Sequence, residues 1–212
     1  MKIAHIADIH FRSLTRHDEY KKTFQFFIDD IKKRGVEYVW VGGDIFHTKT
    51  TGISPEFIEL ASWWIRSISE VCELHMMLGN HDGNLLNPNR QDAITPIVSA
   101  LNLPNVFLYK FSGVYPFAKG YNWCVFSLFD KENWDSVKPI NGEINIACYH
   151  GAVYGSKTET GYEVGEHELS VEFFNGYDFV FLGDIHKRQN LSYRESMIEI
   201  DKKDINKYSD FM

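Results

Sequence analysis

Several features are scarce or absent in this sequence, and each absence excludes a class of protein. Only three cysteines occur, an odd number without CxxC spacing, which argues against a disulfide framework and against a cysteine-based zinc site: Cys72, Cys124 and Cys148. No apolar run approaches the ~20 residues that a membrane-spanning helix needs. The N-terminal stretch is interrupted by Asp8 and His10 too early for a signal peptide. We therefore expect a cytoplasmic protein without a membrane segment.

Positive charge is also in short supply. Lys and Arg number 22 against 29 Asp and Glu, which gives a formal net charge of -7. This balance argues against a protein that binds nucleic acid through bulk electrostatic attraction. Local binding stays possible, because bound divalent cations reverse the sign of the charge at a cluster of carboxylates.

Apolar residues, in contrast, are plentiful enough for a packed core. Hydrophobic residues make up 44% and aromatic residues 15% of the 212 positions, and neither an internal repeat nor a low-complexity tract occurs. This length favours one α/β domain.

The first half of the chain alternates between short β-like runs and amphipathic helical runs. Strands are predicted over residues 2–8, 36–44 and 73–78. Helices are predicted between them: one with apolar residues at helical spacing that ends at Gly35, one that begins at Ser54 and Pro55, and one over residues 92–101 that is kinked near Pro96. The β-α-β-α-β order is typical of a parallel sheet with helices packed on it.

The second half is richer in β-structure. Strand-like runs occur at residues 106–109, 122–129, 143–150 and 177–186, with a short helix predicted over 166–174. Residues 151–165 form a long polar loop, and long loops in compact domains are often functional. The whole pattern predicts two sheets enclosed between helices.

Metal-ligating and proton-transferring residue types follow five of the predicted strands. The five segments are ADIH with Asp8 and His10, GGDIFH with Asp44 and His47, GNHD with Asn80 and His81, CYHG with His150, and GDIH with Asp184 and His186. In open α/β sheets, ligands bind beyond the carboxyl ends of the strands. The alternation of Asp8 and His10 would direct both side chains to one face if the strand continued through them.

Each of these residues also has an ordinary structural interpretation. An Asp after a strand is a common turn or helix-cap residue, and for any single one we favour that explanation by about three to one. Five such segments at five strand ends are hard to explain without a site. A donor set of Asp, Asn and His without Cys suits Mn²⁺, Fe or Zn²⁺. Seven candidate ligands are too many for one ion and suit two ions ~3.5–4 Å apart, the type of centre that hydrolyses phosphoesters.

These segments, in this order, resemble the motifs of the calcineurin-like metallophosphoesterases. The pattern of that superfamily is DxH, GD, GNH(D/E), an isolated His and GHxH, and its five parts correspond to positions from Asp8 to His186. Within the superfamily, HIADIHF, GGDIFH, GNHD and LGDIHKRQ are similar to the SbcD-type nuclease subunit of DNA double-strand-break repair. The resemblance implies a four-layer α-β-β-α sandwich with mixed sheets over residues 1–189, followed by a polar C-terminal tail, 190–212.

The resemblance also implies a role for each residue of the site. The first ion would be held by Asp8, His10 and His186, with Asp44 as the bridging ligand, and the second by Asn80, His150 and Asp184. His81 would be the general acid that protonates the leaving oxygen, and His47 would support it or contact the phosphate. The ions would be two divalent metals, Mn²⁺ first, with Fe, Zn or Mg as alternatives.

The sequence departs from this pattern in two places. Asp184 stands where the superfamily has the first His of GHxH, so we expect a retained site of altered charge, with loss of the second ion as the competing outcome. From Asn190 onward the chain is polar and charged. This tail is expected to be either a short terminal helix or a truncated form of the family's C-terminal region.

The function implied by the resemblance is that of an Mn-dependent deoxyribonuclease, acting as an exonuclease and single-strand endonuclease in DNA repair or recombination. Its partners would be DNA, an SbcC-type ATPase subunit and, in some members, a second copy of the chain. Basic residues that adjoin the motifs are candidate phosphate contacts, or else ordinary solvated surface: Arg12, Arg16, Lys187 and Arg188. A metallophosphatase or small-molecule phosphodiesterase is the alternative, and a non-catalytic scaffold is the least favoured.

Overall fold

The computed structural model describes residues 1–12, 15–47, 53–158, 160–165, 167–189 and 191. In these ranges the strands are β1 (Ile3–Ile6), β2 (Tyr38–Val41), β3 (Glu73–Met77), β4 (Val106–Tyr109), β5 (Gly113–Ala118), β6 (Tyr121–Phe126), β7 (Ile144–His150) and β8 (Phe179–Gly183). The helices are α1 (His17–Arg34), α2 (Pro55–Ser69) and α3 (Thr95–Leu101), with 3₁₀ helices at Lys131–Ser136 and Val171–Phe174.

The strands form two four-stranded sheets. In the first sheet β1, β2, β3 and β4 lie in that order and are all parallel, so their carboxyl ends share one edge. In the second sheet the order is β5, β6, β7 and β8, with β5 antiparallel to β6 and the other neighbours parallel. The predicted α/β class is confirmed: the second sheet is mixed, as predicted, whereas the described strands of the first are all parallel.

Alternation along the strands creates the layers between and outside the sheets. Val39 and Val41 of β2 face the core formed with the helices, whereas Trp40 between them packs against Trp123 of β6, with ring centroids 4.6 Å apart. Cys124 of β6 belongs to a third core on the outer side of the second sheet. Since successive side chains of a strand point to opposite faces, one strand serves two cores.

Helix α1 ends where the sequence indicates that it should. Its buried residues are Phe24, Ile28 and Ile31, at helical spacing on one face. Gly35 follows the helix with φ 63°, and its backbone N–H donates to the Ile31 and Lys32 carbonyls. A left-handed residue at this position is the usual way to end a helix, and glycine adopts it without steric cost.

At the starts of α2 and α3 a side chain accepts a backbone N–H of the first turn, from the N-cap residue Ser54 in α2 and from Asp92, two residues before the N-cap, in α3. Ser54 accepts a hydrogen bond from the Phe57 backbone N–H at 3.2 Å, as predicted for α2. The prediction for the third helix is wrong in its start and its kink. Asp92 caps the Thr95 N–H at 2.7 Å, the helix begins at Thr95, and Pro96 lies in the first turn, where proline is compatible with a straight helix.

The second half differs from prediction in three places. Strand β5 is an addition that the sequence pattern did not indicate, and it contains Pro116 at a register irregularity. The short helix before β8 is only the 3₁₀ turn Val171–Phe174, and residue 166 is not described. The loop after β7 folds back on itself, with Lys157 bridging to Glu163 in antiparallel fashion.

The outer layer on the second sheet consists, in the described ranges, of the two 3₁₀ helices and loops. Phe126 of β6 contacts Trp134 and Phe174, one from each 3₁₀ helix, at centroid distances of 6.0 and 5.9 Å. The predicted tail 190–212 lies outside the described residues except for Leu191, which packs against this outer core. Among the described helices, none has both the length and the apolar character needed to cross a bilayer.

Candidate metal centre

The site is built where the chain leaves parallel strands. Beyond the ends of β1 and β2 the two segments stay hydrogen-bonded to each other: Asp8 N–H donates to the Gly43 carbonyl at 3.1 Å and His10 N–H to the Asp44 carbonyl at 3.0 Å. This continuation holds the side chains of the two segments in a fixed register above the sheet edge.

The predicted ligands form overlapping groups. Donor atoms of Asp8, His10 and His186 lie within 4.8 Å of one another, and so do donor atoms of Asp8, Asp44, His150 and Asp184. Asn80 joins the second group, since its Oδ1 is 3.1 Å from His150 Nε2. The structure thus brings the seven predicted ligands together, although they are up to 178 positions apart in the chain, from Asp8 to His186.

The backbone at the site has an uncommon conformation. Seven described non-glycine residues have positive φ, and five of them are predicted ligands: Asp8 (57°), His10 (50°), Asp44 (50°), Asp184 (67°) and His186 (54°). Left-handed backbone is costly for residues with a side chain and clusters at functional sites. The prediction that Asp8 and His10 continue an extended strand is wrong, because β1 ends at Ile6.

The two Asp-Ile-His segments of the sequence meet face to face. Asp184 N–H donates to both carboxylate oxygens of Asp8, at 2.9 and 3.1 Å. His10 Nε2 and His186 Nε2 are 3.2 Å apart. One contact therefore orients a carboxylate and the other places two imidazole nitrogens close enough to share a cation.

Glycines let the segments approach this closely. A Cβ on Gly79 would lie 2.1 Å from Asp44 Oδ1, and a Cβ on Gly183 would lie 2.3 Å from the Gly42 carbonyl oxygen. The Gly42 carbonyl accepts a hydrogen bond from His150 Nδ1 at 2.6 Å. Because a carbonyl only accepts, Nδ1 carries the proton, and Nε2 is the His150 nitrogen that faces Asp44 and Asn80.

Asp44 provides the clearest sign that a cation belongs here. The side chain is fully buried, and its Oδ2 accepts no hydrogen bond within the described part of the chain. His150 Nε2 lies 3.2 Å from that oxygen, where it forms an ion pair only when its imidazole is protonated, and His10 Nε2 lies 3.8 Å from it. A buried carboxylate oxygen without a donor is costly, and a divalent cation would satisfy it. The donor set of Asp, Asn and His also fits such an ion.

The electrostatics of the cluster agree with this interpretation. Burial raises the pKa of Asp8 and of Asp184 and lowers the pKa of His10 to about 4. Burial opposes charge on His150 as well, but the Asp44 carboxylate outweighs it and raises the pKa of His150 to about 9. These pKa shifts arise because carboxylates and imidazoles lie close together in a space that is largely shielded from water.

His81 is anchored at both its backbone and its ring. Its backbone N–H donates to Asp44 Oδ1 at 2.8 Å, and its Nδ1 donates to the His47 carbonyl at 2.6 Å. The centroid of the His10 ring lies 5.0 Å from that of the His81 ring and 5.6 Å from that of the His47 ring. Donor atoms of His10, Asp44 and His81 also lie within 4.8 Å of one another, so His81 faces the cluster.

Asp82 is a residue whose role the sequence left undecided. Its buried carboxylate accepts backbone N–H groups from two segments: Gly79 at 2.8 Å, Phe46 at 2.9 Å and Ile45 at 3.3 Å. Burial raises its pKa to about 7. The Asp82 side chain therefore ties the loop after β3, which carries Asn80 and His81, to the segment that carries Asp44.

The predicted phosphate contacts differ in their surroundings. Arg12, Lys187 and Arg188 are exposed beside predicted ligands. Arg16 is instead paired with Glu19 at the start of α1. Of these four, Arg16 is the one that has a carboxylate partner among the described residues.

The loop after β7 is fastened to the segment that carries His186. Gln189 Oε1 accepts the Lys157 N–H at 2.9 Å, and Gln189 Nε2 donates to the Lys157 carbonyl at 2.8 Å. The same amide donates to the Lys187 carbonyl at 3.2 Å. Sequence reasoning missed this link, for which the only signal was an amide side chain just after the basic pair.

The chain is similar to two known proteins, over part of their length. The uncharacterized protein R555 of Acanthamoeba polyphaga mimivirus is 37% identical over 211 residues, and the match covers 92% of this chain but 15% of that protein. The chain thus spans a small part of that relative's length. The crystal structure of Pseudomonas putida nuclease MPE matches with a TM-score of 0.40 at 11% identity, over 77% of this chain and 67% of that one, a likeness too remote to bear on activity.

A family model carries more weight, because it covers nearly the whole chain. The model described as calcineurin-like phosphoesterase matches residues 1–188. This range includes all five segments whose side chains converge at the sheet edge. The chain therefore belongs to the calcineurin-like phosphoesterases, a family of hydrolases of phosphoester bonds that use divalent metal ions.

Proposed function

We propose that this chain is an Mn²⁺-dependent deoxyribonuclease of the SbcD type. The observation that carries the proposal is the pair of overlapping donor groups that share Asp8 at the sheet edge. Two-ion centres of this kind suit in-line displacement at phosphorus. Proposed with it are a role in DNA repair or recombination, an SbcC-type ATPase partner, a possible homodimer and a cytoplasmic location.

The positions of the seven predicted ligands suggest which ion each of them would hold. Asp8, His10 and His186 would hold one ion, and Asn80, His150 and Asp184 the other, with Asp44 shared between them. Two bound divalent ions supply positive charge for the phosphate oxygens and acidify the attacking water. Asp44 is suited to the shared role because its Oδ1 is occupied by the His81 N–H while its Oδ2 accepts no hydrogen bond from a described group.

His81 would deliver the proton to the leaving oxygen. Its Nδ1 donates to the His47 carbonyl, so Nε2 is the nitrogen left to hold and release a proton. A positioned general acid contributes about 10²–10⁴-fold to rate. His47 would act through its carbonyl by fixing the orientation of the His81 ring.

DNA is favoured over a small phosphoester by the exposed basic side chains beside the ligands. Lys187 and Arg188 directly follow His186, and Arg12 lies two residues after His10. Such side chains are the common contacts to backbone phosphates. The net charge of -7 favours the rival function of a metallophosphatase or small-molecule phosphodiesterase on the same site.

A cleavage assay separates these functions. We expect the Mn²⁺-loaded protein to cleave linear duplex and single-stranded DNA, and His81→Ala to lose about 10²–10⁴-fold in rate while it still binds metal. His167→Ala, which removes an exposed histidine outside the site, is the matched control. Cleavage of bis(p-nitrophenyl) phosphate with DNA left intact would support the small-molecule function, and DNA cleavage equal in both variants would reject the proposal.

A further inference from the structure

The two predicted ion positions differ in donor chemistry. The histidine-rich position consists of Asp8, His10 and His186, with two imidazoles and one carboxylate. The oxygen-rich position consists of Asn80, His150 and Asp184, with one amide oxygen, one imidazole and one carboxylate, and Asp44 is shared by the two positions.

The carboxylates concentrate around the oxygen-rich position. Asp8, which belongs to the histidine-rich position, also has a carboxylate oxygen within 4.8 Å of donor atoms of Asp44, His150 and Asp184. Three carboxylates thus converge on this side, whereas the two imidazoles of the other side meet at 3.2 Å. A cation in the oxygen-rich position experiences the larger negative charge.

A second observation directs a ligand to this group of acids. Asp44 Oδ2 is buried and accepts no hydrogen bond from the described residues. Asp184 is held in place through its backbone, since its N–H donates to Asp8. The side chain of Asp184 faces the cluster, with a carboxylate oxygen within 4.8 Å of donor atoms of Asp8, Asp44 and His150.

Donor type governs which divalent ion a position prefers. Carboxylate and amide oxygens suit Mg²⁺ and Mn²⁺, whereas imidazole suits Zn²⁺ and Fe. We propose that the centre is chemically unequal and that Asp184 makes it so: the histidine-rich position takes Zn²⁺ first, while the oxygen-rich position retains Mn²⁺. The inference rests on the proposed two-ion site and specifies which ion each side selects.

Metal competition on the intact chain tests the inference. Metal-free protein is equilibrated with two equivalents each of Zn²⁺ and Mn²⁺, unbound metal is removed, and bound metal is counted by mass spectrometry. We expect one Zn²⁺ and one Mn²⁺ per chain, with the electron paramagnetic resonance spectrum of an isolated Mn²⁺ ion. Imidazole ¹⁵N spectra during a separate Zn²⁺ titration should show His10 and His186 shifting with the first equivalent and His150 with the second.

Asp184→His tests the residue itself. Its added imidazole should raise the preference of the second position for Zn²⁺ over Mn²⁺ by about tenfold or more. Asp135→His makes the same chemical change at an exposed position in the 3₁₀ helix Lys131–Ser136 and should leave the preference unchanged. Should Asp184→His fail to fold, the wild-type competition and titration decide alone.

The outcomes distinguish this inference from the proposed function. Two Zn²⁺ ions bound from the mixture, or a first equivalent that shifts His150 together with His10, would overturn the unequal centre. Protein that binds no metal would overturn both the inference and the nuclease, whereas protein that binds Mn²⁺ without hydrolysing DNA would count against the nuclease alone. DNA cleavage by a centre whose two positions bind the same ion equally well would contradict only the inference of an unequal centre and would leave the nuclease standing.

Discussion

At the scale of single residues, Asp82 shows how a buried side chain outside the predicted ligand set holds the loops that carry the predicted ligands. Its carboxylate accepts hydrogen bonds from three backbone N–H groups in the loops after β2 and β3. Neighbours of metal ligands that orient them commonly affect metal affinity by 10–100-fold. The loop containing Asn80 therefore keeps its distance from Asp44 only as long as Asp82 can accept these hydrogen bonds.

Asp82→Asn should lower both stability and metal affinity. The amide NH₂ would face a backbone donor, which leaves at least one buried N–H unpaired and costs about 1–3 kcal/mol in the free energy of unfolding. Mn²⁺ affinity, measured by calorimetry, should fall about 10–100-fold. Asp130→Asn is the matched control, because the buried Asp130 accepts hydrogen bonds from Ser112, away from the predicted ligands. Equal losses of Mn²⁺ affinity in both variants would argue against a positioning role for Asp82.

His75 illustrates a residue-scale effect on stability far from metal chemistry. It is 1% exposed among aromatic rings, with Tyr109 Oη 2.8 Å from Nδ1 and Glu73 Oε2 3.5 Å from Nε2. Burial lowers the pKa of His75 to about 4, so the folded state binds its proton less readily than the unfolded state does. The contribution of neutral His75 to the stability of the folded state is therefore fully present above the ordinary histidine pKa of about 6.5. It is lost as pH falls toward 4.

His75→Phe should flatten the pH dependence of unfolding. Between pH 6.5 and 4 the wild-type chain should lose about 3 kcal/mol more than the variant in metal-free urea titrations. Tyr38 and Glu73, which lie beside the His75 ring, are unchanged in the variant. His167→Gln, at an exposed position, should keep the wild-type slope. An identical slope in His75→Phe would show that this imidazole is not the buried neutral group responsible.

At the scale of elements, the sequence was most informative where one periodicity governs a segment. Helix α1 and strands β1 to β3 follow from apolar spacing and from Gly35, and the strand-end segments indicated the seven converging residues. Strand β5 was missed because Pro116 breaks the expected pattern, and its place depends on pairing with β6. The positive φ values at Asp8 and Asp44 were also unpredictable, since tertiary contacts override local preference for residues other than glycine.

The strand-end glycines lead to a prediction about close packing. Gly79→Ala should displace Asp44, because its Cβ would lie 2.1 Å from Asp44 Oδ1 and 2.4 Å from the Asp44 backbone nitrogen. We expect Mn²⁺ binding to be lost and the melting temperature to fall. Gly142→Ala has open space around its Cβ and a φ of +81°, so it should cost about 1 kcal/mol and leave metal binding intact. Unchanged Mn²⁺ affinity in Gly79→Ala would mean that the contact with Asp44 is dispensable.

At the scale of the whole molecule, the centre joins the two sheets. Asp8, Asp44 and Asn80 come from the first sheet, and His150 and Asp184 from the second, so ions bound at the centre would bridge both. The carboxylates on this seam repel one another when no cation is bound. Binding to the folded state alone adds stability in proportion to the logarithm of ligand concentration.

Metal removal should therefore destabilise the entire chain. At 100 times its dissociation constant each ion adds about 2.7 kcal/mol, and a chain of this size gains about 2–4 °C in melting temperature per kcal/mol. EDTA-treated protein should melt lower by a matching amount and recover with Mn²⁺. Asp44→Asn should remove most of the response to Mn²⁺, whereas a response equal to wild type would place the ions elsewhere.

The paired Asp-Ile-His segments make the core of the centre locally pseudo-symmetric. The segment after β1 and the segment after β8 come from different sheets, yet each has left-handed backbone at its Asp and at its His, and each presents a carboxylate and an imidazole to the other. Equivalent arms by themselves would create equivalent ion positions. Asp184 breaks this equivalence, because its carboxylate lies with Asp44 and His150, on the side to which Asn80 is also added.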